Sequence, residues 1–163
     1  MENFQLNEYR FFDPEPNVKK IAYELYWHIK EMPIVSPHGH VDPQIFVDNK
    51  PFPNPTQLFL IPDHYIFRML YSQGISLESL GIPVVDGSIV ETDSKKIWQL
   101  FAENYSLFRG TPSGVWLDYE FNIVFGIKEK LNKENGLKIY DELNEKINSP
   151  EFLPRTLFDN FKI

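Results

Sequence analysis

The chain has 163 residues, no cysteine and a net charge of −7, from 16 Lys and Arg against 23 Asp and Glu. With 42% hydrophobic and 15% aromatic residues it can bury a core, which argues against disorder. An acidic balance without a basic cluster argues against nucleic acid, the missing thiols exclude disulfide scaffolds and thiolate metal sites, and no apolar run approaches the roughly 20 residues of a membrane helix.

The first sixteen residues show no basic segment followed by an apolar run. No signal peptide is read there, and the expected compartment is the cytoplasm. Asn17 is placed to cap a first helix, on which Val18, Ile21, Ala22, Leu25, Tyr26 and Ile29 recur at helical spacing. Met32-Pro33 ends it, because a residue before proline avoids helical angles. Ile34-Val35-Ser36 then reads as a short strand that runs into Pro37-His38-Gly39-His40.

Asp42-Pro43 opens a short helix through Val47, and three prolines in residues 50–55 mark a surface loop. Pro62-Asp63 starts a helix with Ile66, Phe67, Leu70 and Tyr71 on its apolar side and Gly74 as its stop. Residues 81–91 read as loop. Thr92-Asp93-Ser94 caps a helix carrying Ile97, Leu100, Phe101, Tyr105 and Phe108. Residues 110–114 form a loop, and 115–125 an aromatic-rich helix that ends at Gly126. Asn132 caps a polar helix with Leu137, Tyr140, Leu143 and Ile147 on one side, and 154–160 form a last short helix. Phe161-Lys162-Ile163 reads as the entry to a second strand. A lone strand leaves its backbone groups without partners, so the sequence is expected to be incomplete.

His38 and His40 are the sharpest chemical feature. Residues two apart on extended backbone project to one side, so two imidazoles there can share an ion. On a helix the same spacing turns them roughly 200° apart and chelation fails. Imidazole nitrogens suit zinc, manganese, iron or nickel better than magnesium or calcium. The alternative is a pair of polar loop residues, and two ligands fall short of the three that catalytic zinc takes from protein.

Asp63-His64-Tyr65 opens a helix, where side chains can point into a cleft. Tyr65 can shuttle a proton and His64 can orient a substrate or water, while capping by Asp63 and packing by Tyr65 is the bland reading. Arg68 follows one turn after His64, and its fork suits a sugar-acid carboxylate or a nearby acid. Trp116-Leu117-Asp118-Tyr119-Glu120-Phe121 reads as a packed helix with capped or exposed acids, with a cleft wall as the other reading.

Four blocks in order resemble the uronate isomerase family of the amidohydrolase superfamily. They are Pro33-Ile34-Val35-Ser36-Pro37-His38-Gly39-His40-Val41-Asp42, then Asp63-His64-Tyr65 with Arg68-Met69 and Gly74-Ile75. Gly110-Thr111-Pro112-Ser113-Gly114-Val115-Trp116-Leu117-Asp118 and Pro150-Glu151-Phe152-Leu153-Pro154-Arg155 with Leu157-Phe158 follow. The resemblance implies an α/β fold, the N-terminal portion of an amidohydrolase-type (β/α)8 TIM barrel, mostly helical here with one clear strand. Residues 1–41 would supply the leading helix and first strand and 42–163 a helical insertion, in one segment with the rest of the barrel absent. Such a barrel needs about 250 residues. In the family, His38 and His40 would be metal ligands for a divalent cation, zinc foremost, and Tyr65 and His64 would face the substrate. Ser36, Gly39, Asp118 and the surroundings of Tyr71 depart from many relatives and mark a divergent branch.

The implied reaction is aldose–ketose isomerisation of a hexuronate through an enediol-type proton transfer. The expected partner is a small hexuronate, with no nucleic acid and no membrane. Turnover is expected only from a longer chain, and self-association into a homo-oligomer through apolar surface is also expected. The rivals are a metal-dependent amidohydrolase-type hydrolase, because one barrel hosts both chemistries, and a non-catalytic helical interaction module.

Overall fold

The structure is a computed structural model that describes residues 4–163. Among these residues every regular element is helical, with no strand. Seven α-helices appear in order: α1 (Pro16–Ile29), α2 (Gln44–Asp48), α3 (His64–Ser72), α4 (Ser94–Glu103), α5 (Pro112–Tyr119), α6 (Gly136–Ile147) and α7 (Pro154–Phe161). Single turns of π-helix at Thr56–Leu60 and Glu120–Val124, and of 3-10 helix at Glu78–Leu80, Tyr105–Phe108 and Pro150–Phe152, join them.

The caps follow from side chains that satisfy the free amides of a first turn. Asp63 accepts from the Tyr65 amide at 2.8 Å, and Asp93 from the amides of Lys95 and Lys96 at 3.0 and 3.3 Å. Thr111 accepts from the Gly114 amide at 3.1 Å while donating to the Phe108 carbonyl at 2.7 Å. The expected cap at Asn17 is corrected. Glu15 accepts from the Val18 amide at 2.7 Å, and Pro16 takes the first helical position, where no amide is needed. Asn132 accepts from the amides of Glu134 and Asn135 and so closes the turn before α6 rather than the helix itself. Gly74, with φ +89°, ends the α3 region as expected.

The core is built mainly from α4, α6 and the aromatic run of residues 117–127. Trp98 is fully buried, and its Nε1 donates to the Gly136 carbonyl at 2.8 Å. Around it lie the rings of Phe101, Tyr140, Phe121 and Phe59, with centroids 5.4, 5.8, 5.9 and 6.3 Å away. These spacings suit tilted and edge-on aromatic contacts. Two buried polar side chains hold the periphery. Thr56 donates to the Ser94 carbonyl at 2.6 Å. Asn122 accepts from the Leu6 amide at 3.2 Å and donates to the carbonyls of Phe4 and Ile127 at 2.6 and 2.9 Å. Asn122 thereby pins residues 4–6 onto the end of the aromatic run, 118 positions along the chain from Phe4.

The reading of an α/β barrel portion with one clear strand is overturned. Residues 33–41 are extended in part but form no ladder, and Val35 is 89% exposed. One backbone bond touches the expected strand, from the Ile34 amide to the Lys162 carbonyl at 2.7 Å. A strand requires a run of paired amides and carbonyls, and β-type residues without that partner stay irregular. The expected second strand at 161–163 is absent as well. Phe161 belongs to α7, and Lys162 adopts the left-handed region at φ 56°, which stops the helix. The periodic face of α1 forms its helix, yet none of its residues is buried. Tyr9 packs at a tilt against Tyr23, and Phe12 meets Tyr23 and Tyr26 edge-on, which covers only part of it. Residues 115–125, expected as one helix, divide into α5 and the π turn at Glu120–Val124.

Two glycines mark backbone approaches that no side chain fits. A Cβ at Gly114 would lie 2.1 Å from the Phe108 carbonyl oxygen, and one at Gly136 2.8 Å from the Ala102 Cβ and 2.6 Å from Gln99 Oε1. Gly114→Ala is expected to cost about 3 kcal/mol and Gly136→Ala about 1–2 kcal/mol, since Gln99 can swing aside and Ala102 need give only a few tenths of an ångström, whereas the Phe108 backbone stands far closer and cannot move away. Urea denaturation of each variant measures the two losses, and equal or negligible losses contradict the close approach.

Candidate functional site

The extended segment after α1 brings the two histidines together. Ser36 Oγ donates to the His38 carbonyl at 2.8 Å. His38 Nε2 and His40 Nε2 then lie 2.9 Å apart, with ring centroids 4.8 Å apart and planes at 83°. Both rings are solvent-exposed. Two nitrogens bound to one tetrahedral zinc at 2.0–2.1 Å sit about 3.3 Å apart, so the pair needs to open by only a few tenths of an ångström. The donor chemistry and the convergence fit an imidazole-preferring cation. Among the described residues no cluster of three or more His, Asp or Glu groups forms around a common point. The segment therefore offers two ligands. Gly39 has open space where a Cβ would sit, so no close neighbour demands glycine there.

α3 presents the second group. Ile66 and Leu70 are buried and fasten the helix to the core. The opposite side carries His64, Tyr65 and Arg68 into solvent, with Tyr65 57% exposed. The His64 and Tyr65 rings lie 4.2 Å apart at 34°. The capping role of Asp63 is met, whereas Tyr65 is not packed in the core. Among the described residues no hydrogen bond, ion pair or ring contact links the His38–His40 pair to His64, Tyr65 or Arg68.

The aromatic block separates its two acids. Asp118 accepts from Tyr105 Oη at 2.8 Å and pairs with Lys130 Nζ at 3.0 Å, so it is a structural tie between the 3-10 turn and α5. Burial, and then the Asp118 charge, push the Tyr105 phenol well above its usual range. Glu120 opens the π turn and is half-buried in the wall of a groove of about 610 Å³, which Arg10, Lys30 and the rings of Tyr23, Trp27 and Tyr119 also line. Both cations rest on aromatic faces. Arg10 lies over Phe11 at 4.4 Å and Lys30 over Trp27 at 3.6 Å. Burial, reinforced by the Asp63 charge, pushes the Glu120 carboxyl up to about 7. The signal for it in sequence is its place directly before Phe121, on the edge of the buried helical face.

A carboxyl whose folded value is raised keeps its proton better folded than unfolded. Its ionisation therefore costs stability progressively as pH rises from about 4.5, its ordinary value, through about 7. Glu120→Gln removes this cost. The variant is expected to gain up to about 2 kcal/mol over the parent at pH 8, after allowance for solvent screening, and nothing below pH 4. Chemical denaturation at the two pH values checks this, and a gain independent of pH contradicts it.

A family model described as glucuronate isomerase matches residues 9–163. A uronate isomerase of Brucella suis biovar 1 is 49% identical over 158 residues, which is 97% of this chain and 34% of that protein. A uronate isomerase of Nostoc punctiforme is 52% identical over 155 residues, 94% of this chain and 33% of that protein. The crystal structure of glucuronate isomerase from Caulobacter crescentus superimposes with a TM-score of 0.93 at 44% identity, over 99% of this chain and 34% of that one. Uronate isomerase from Thermotoga maritima gives 0.81 at 28% identity, over 98% and 32%. This chain thus spans about a third of the length of the relatives it matches. With the family model matching nearly the whole chain and relatives near half-identical throughout it, the chain belongs to the glucuronate isomerase family.

Proposed function

We propose that this chain supplies the metal-holding and part of the substrate-facing residues of an enzyme that interconverts D-glucuronate or D-galacturonate with the corresponding ketose. The convergence of two imidazole nitrogens at 2.9 Å is the observation that carries this reading. Family membership supplies the reaction class, through relatives named uronate isomerase.

In this reading His38 and His40 hold a divalent cation, zinc by preference, with further ligands from outside the pair. The cation, when bound, supplies positive charge against the negative charge that develops on substrate oxygens. Tyr65 exchanges a proton with a sugar oxygen, for which its exposed phenol is accessible. His64, ring to ring with Tyr65, orients the same oxygen. Arg68, one turn along α3 on the same side, offers a fork to the sugar carboxylate. The overall change moves hydrogen from C2 to C1 through an enediol. The net charge of −7 does not oppose an anionic substrate, because a local cation and arginine set the field within a cleft. A cysteine-free chain suits the cytoplasm, where such a sugar-acid isomerase would act.

The test uses the longest protein that the reading frame provides, loaded with Zn²⁺ and assayed for ketose formation from D-glucuronate, with amide and lactone substrates in parallel. Turnover is expected on the hexuronate alone. Tyr65→Phe is expected to lower kcat by about 10²–10⁴-fold, the usual worth of a positioned acid–base group. His38→Ala and His40→Ala are expected to lose both bound zinc and turnover. Parent-level turnover in a His38→Ala, His40→Ala double variant overturns the proposal.

A further inference from the structure

The block around Pro154, Arg155 and Phe158 has no part in the proposed chemistry, yet its helix grips the histidine segment on both sides. On the C-terminal side of that segment, Arg155 Nε donates to the Phe46 carbonyl at 2.7 Å and Nη2 to the Val47 carbonyl at 3.3 Å. Its backbone amide donates to Asn49 Oδ1 at 3.0 Å, and Asn49 caps α2 in the left-handed region at φ 48°. The Phe158 and Phe46 rings pack at 4.3 Å. On the N-terminal side, the Lys162 carbonyl accepts from the Ile34 amide at 2.7 Å. Lys162 Nζ donates to Glu31, to its carbonyl at 3.3 Å and its carboxylate at 2.5 Å. α7 and its cap residue Lys162 therefore fix the two ends of the arc 35–45, and His38 and His40 stand in the middle of it.

The His38 and His40 rings themselves are exposed. The local order of the arc rests on short-range bonds, from Ser36 Oγ to the His38 carbonyl and from the Gln44 amide to Asp42 Oδ1 at 2.9 Å. An exposed loop has many conformers, and fixing its dihedrals at the moment of ligand binding weakens affinity. Anchors at both ends remove most of that freedom beforehand. A guanidinium fork is suited to the task, because it bridges two adjacent carbonyls at a helix C-terminus while its charge favours that end of the helix.

We propose that Arg155 is a positioning residue for the His38–His40 cation site, acting with Phe158 of α7 and with Lys162 at its C-terminal cap to keep the two imidazoles convergent. The inference rests on the cation-holding role given to these histidines under the proposed function, and its test separates the two. Zn²⁺ affinity is measured by chelator competition in the longest protein the reading frame provides. The nuclear Overhauser effect between the His38 and His40 ring protons is measured in the same protein without metal. Arg155→Ala is expected to weaken Zn²⁺ binding about tenfold and to abolish the ring-to-ring effect, with near-ultraviolet circular dichroism of the aromatic core unchanged. Arg155→Lys, with charge but no fork, is expected to fall between the two. If the parent binds no Zn²⁺ but its ring-to-ring effect vanishes in Arg155→Ala, the cation reading fails and the positioning role stands. A parent-level ring-to-ring effect in folded Arg155→Ala overturns the inference. So does the same result in Arg155→Lys should the alanine variant not fold, and so does the absence of the effect in the parent.

Discussion

One hydrogen bond inside an aromatic cage organises the described chain. Trp98 places its indole N–H on the Gly136 carbonyl, and this fixes where α6 begins relative to α4. The same contact explains why residue 136 lacks a side chain, since any Cβ would collide with Ala102 on the facing helix. With the two helices this close, the rings of Phe121, Phe59 and Tyr140 complete the enclosure and leave the indole wholly dry. A buried N–H without an acceptor would cost about 1–3 kcal/mol, so the carbonyl at the helix start is as necessary as the rings. The elements that carry the candidate site residues and Glu120 hang from this frame. α3 is fastened through Ile66 and Leu70, and the π turn with Glu120 leads directly into Phe121.

The candidate chemistry and the core occupy different residues. His38, His40, His64, Tyr65 and Arg68 are all exposed, and none contributes to the aromatic cage. Substitution at these positions therefore leaves in place the forces that fold the chain. The acids of the aromatic block divide in the same spirit. Asp118 is satisfied by Tyr105 and Lys130 and serves the frame, while Glu120 sits in a groove with its proton held tightly. Beside its family membership, the chain offers a pair of convergent nitrogens and an exposed helix start.

Much of the helical content was legible because local rules decide it. Asp63 and Asp93 carry the side chains that caps require, and Ile66, Leu70, Ile97 and Phe101 recur with the helical period. Asn17 misled because Glu15-Pro16 is an equally good helix start two positions earlier, and a capping argument from one residue does not weigh that rival. The strand at Ile34-Val35-Ser36 misled for a deeper reason. β-propensity reports a fit to a pleated surface, and no such surface is present among the described residues. The histidine spacing was informative because it depends only on extended backbone, which a segment can adopt without a ladder. The grip of α7 was invisible, because it joins Arg155 to Phe46 across 109 positions, and no local pattern in one sequence encodes such a pairing.

The tether made by Asn122 has a consequence for the order in which the molecule is assembled. The residues it holds, Phe4 and Leu6, are synthesised 118 and 116 positions ahead of their partner. At about 5–20 residues per second, the N-terminal segment waits roughly 6–24 s for its anchor. α1, with 14 residues and none of them buried even in the fold, has a length that is marginal in water without tertiary support. Closure of this loop thus waits on synthesis of the aromatic run, and until then the segment that Asn122 holds has no anchor there.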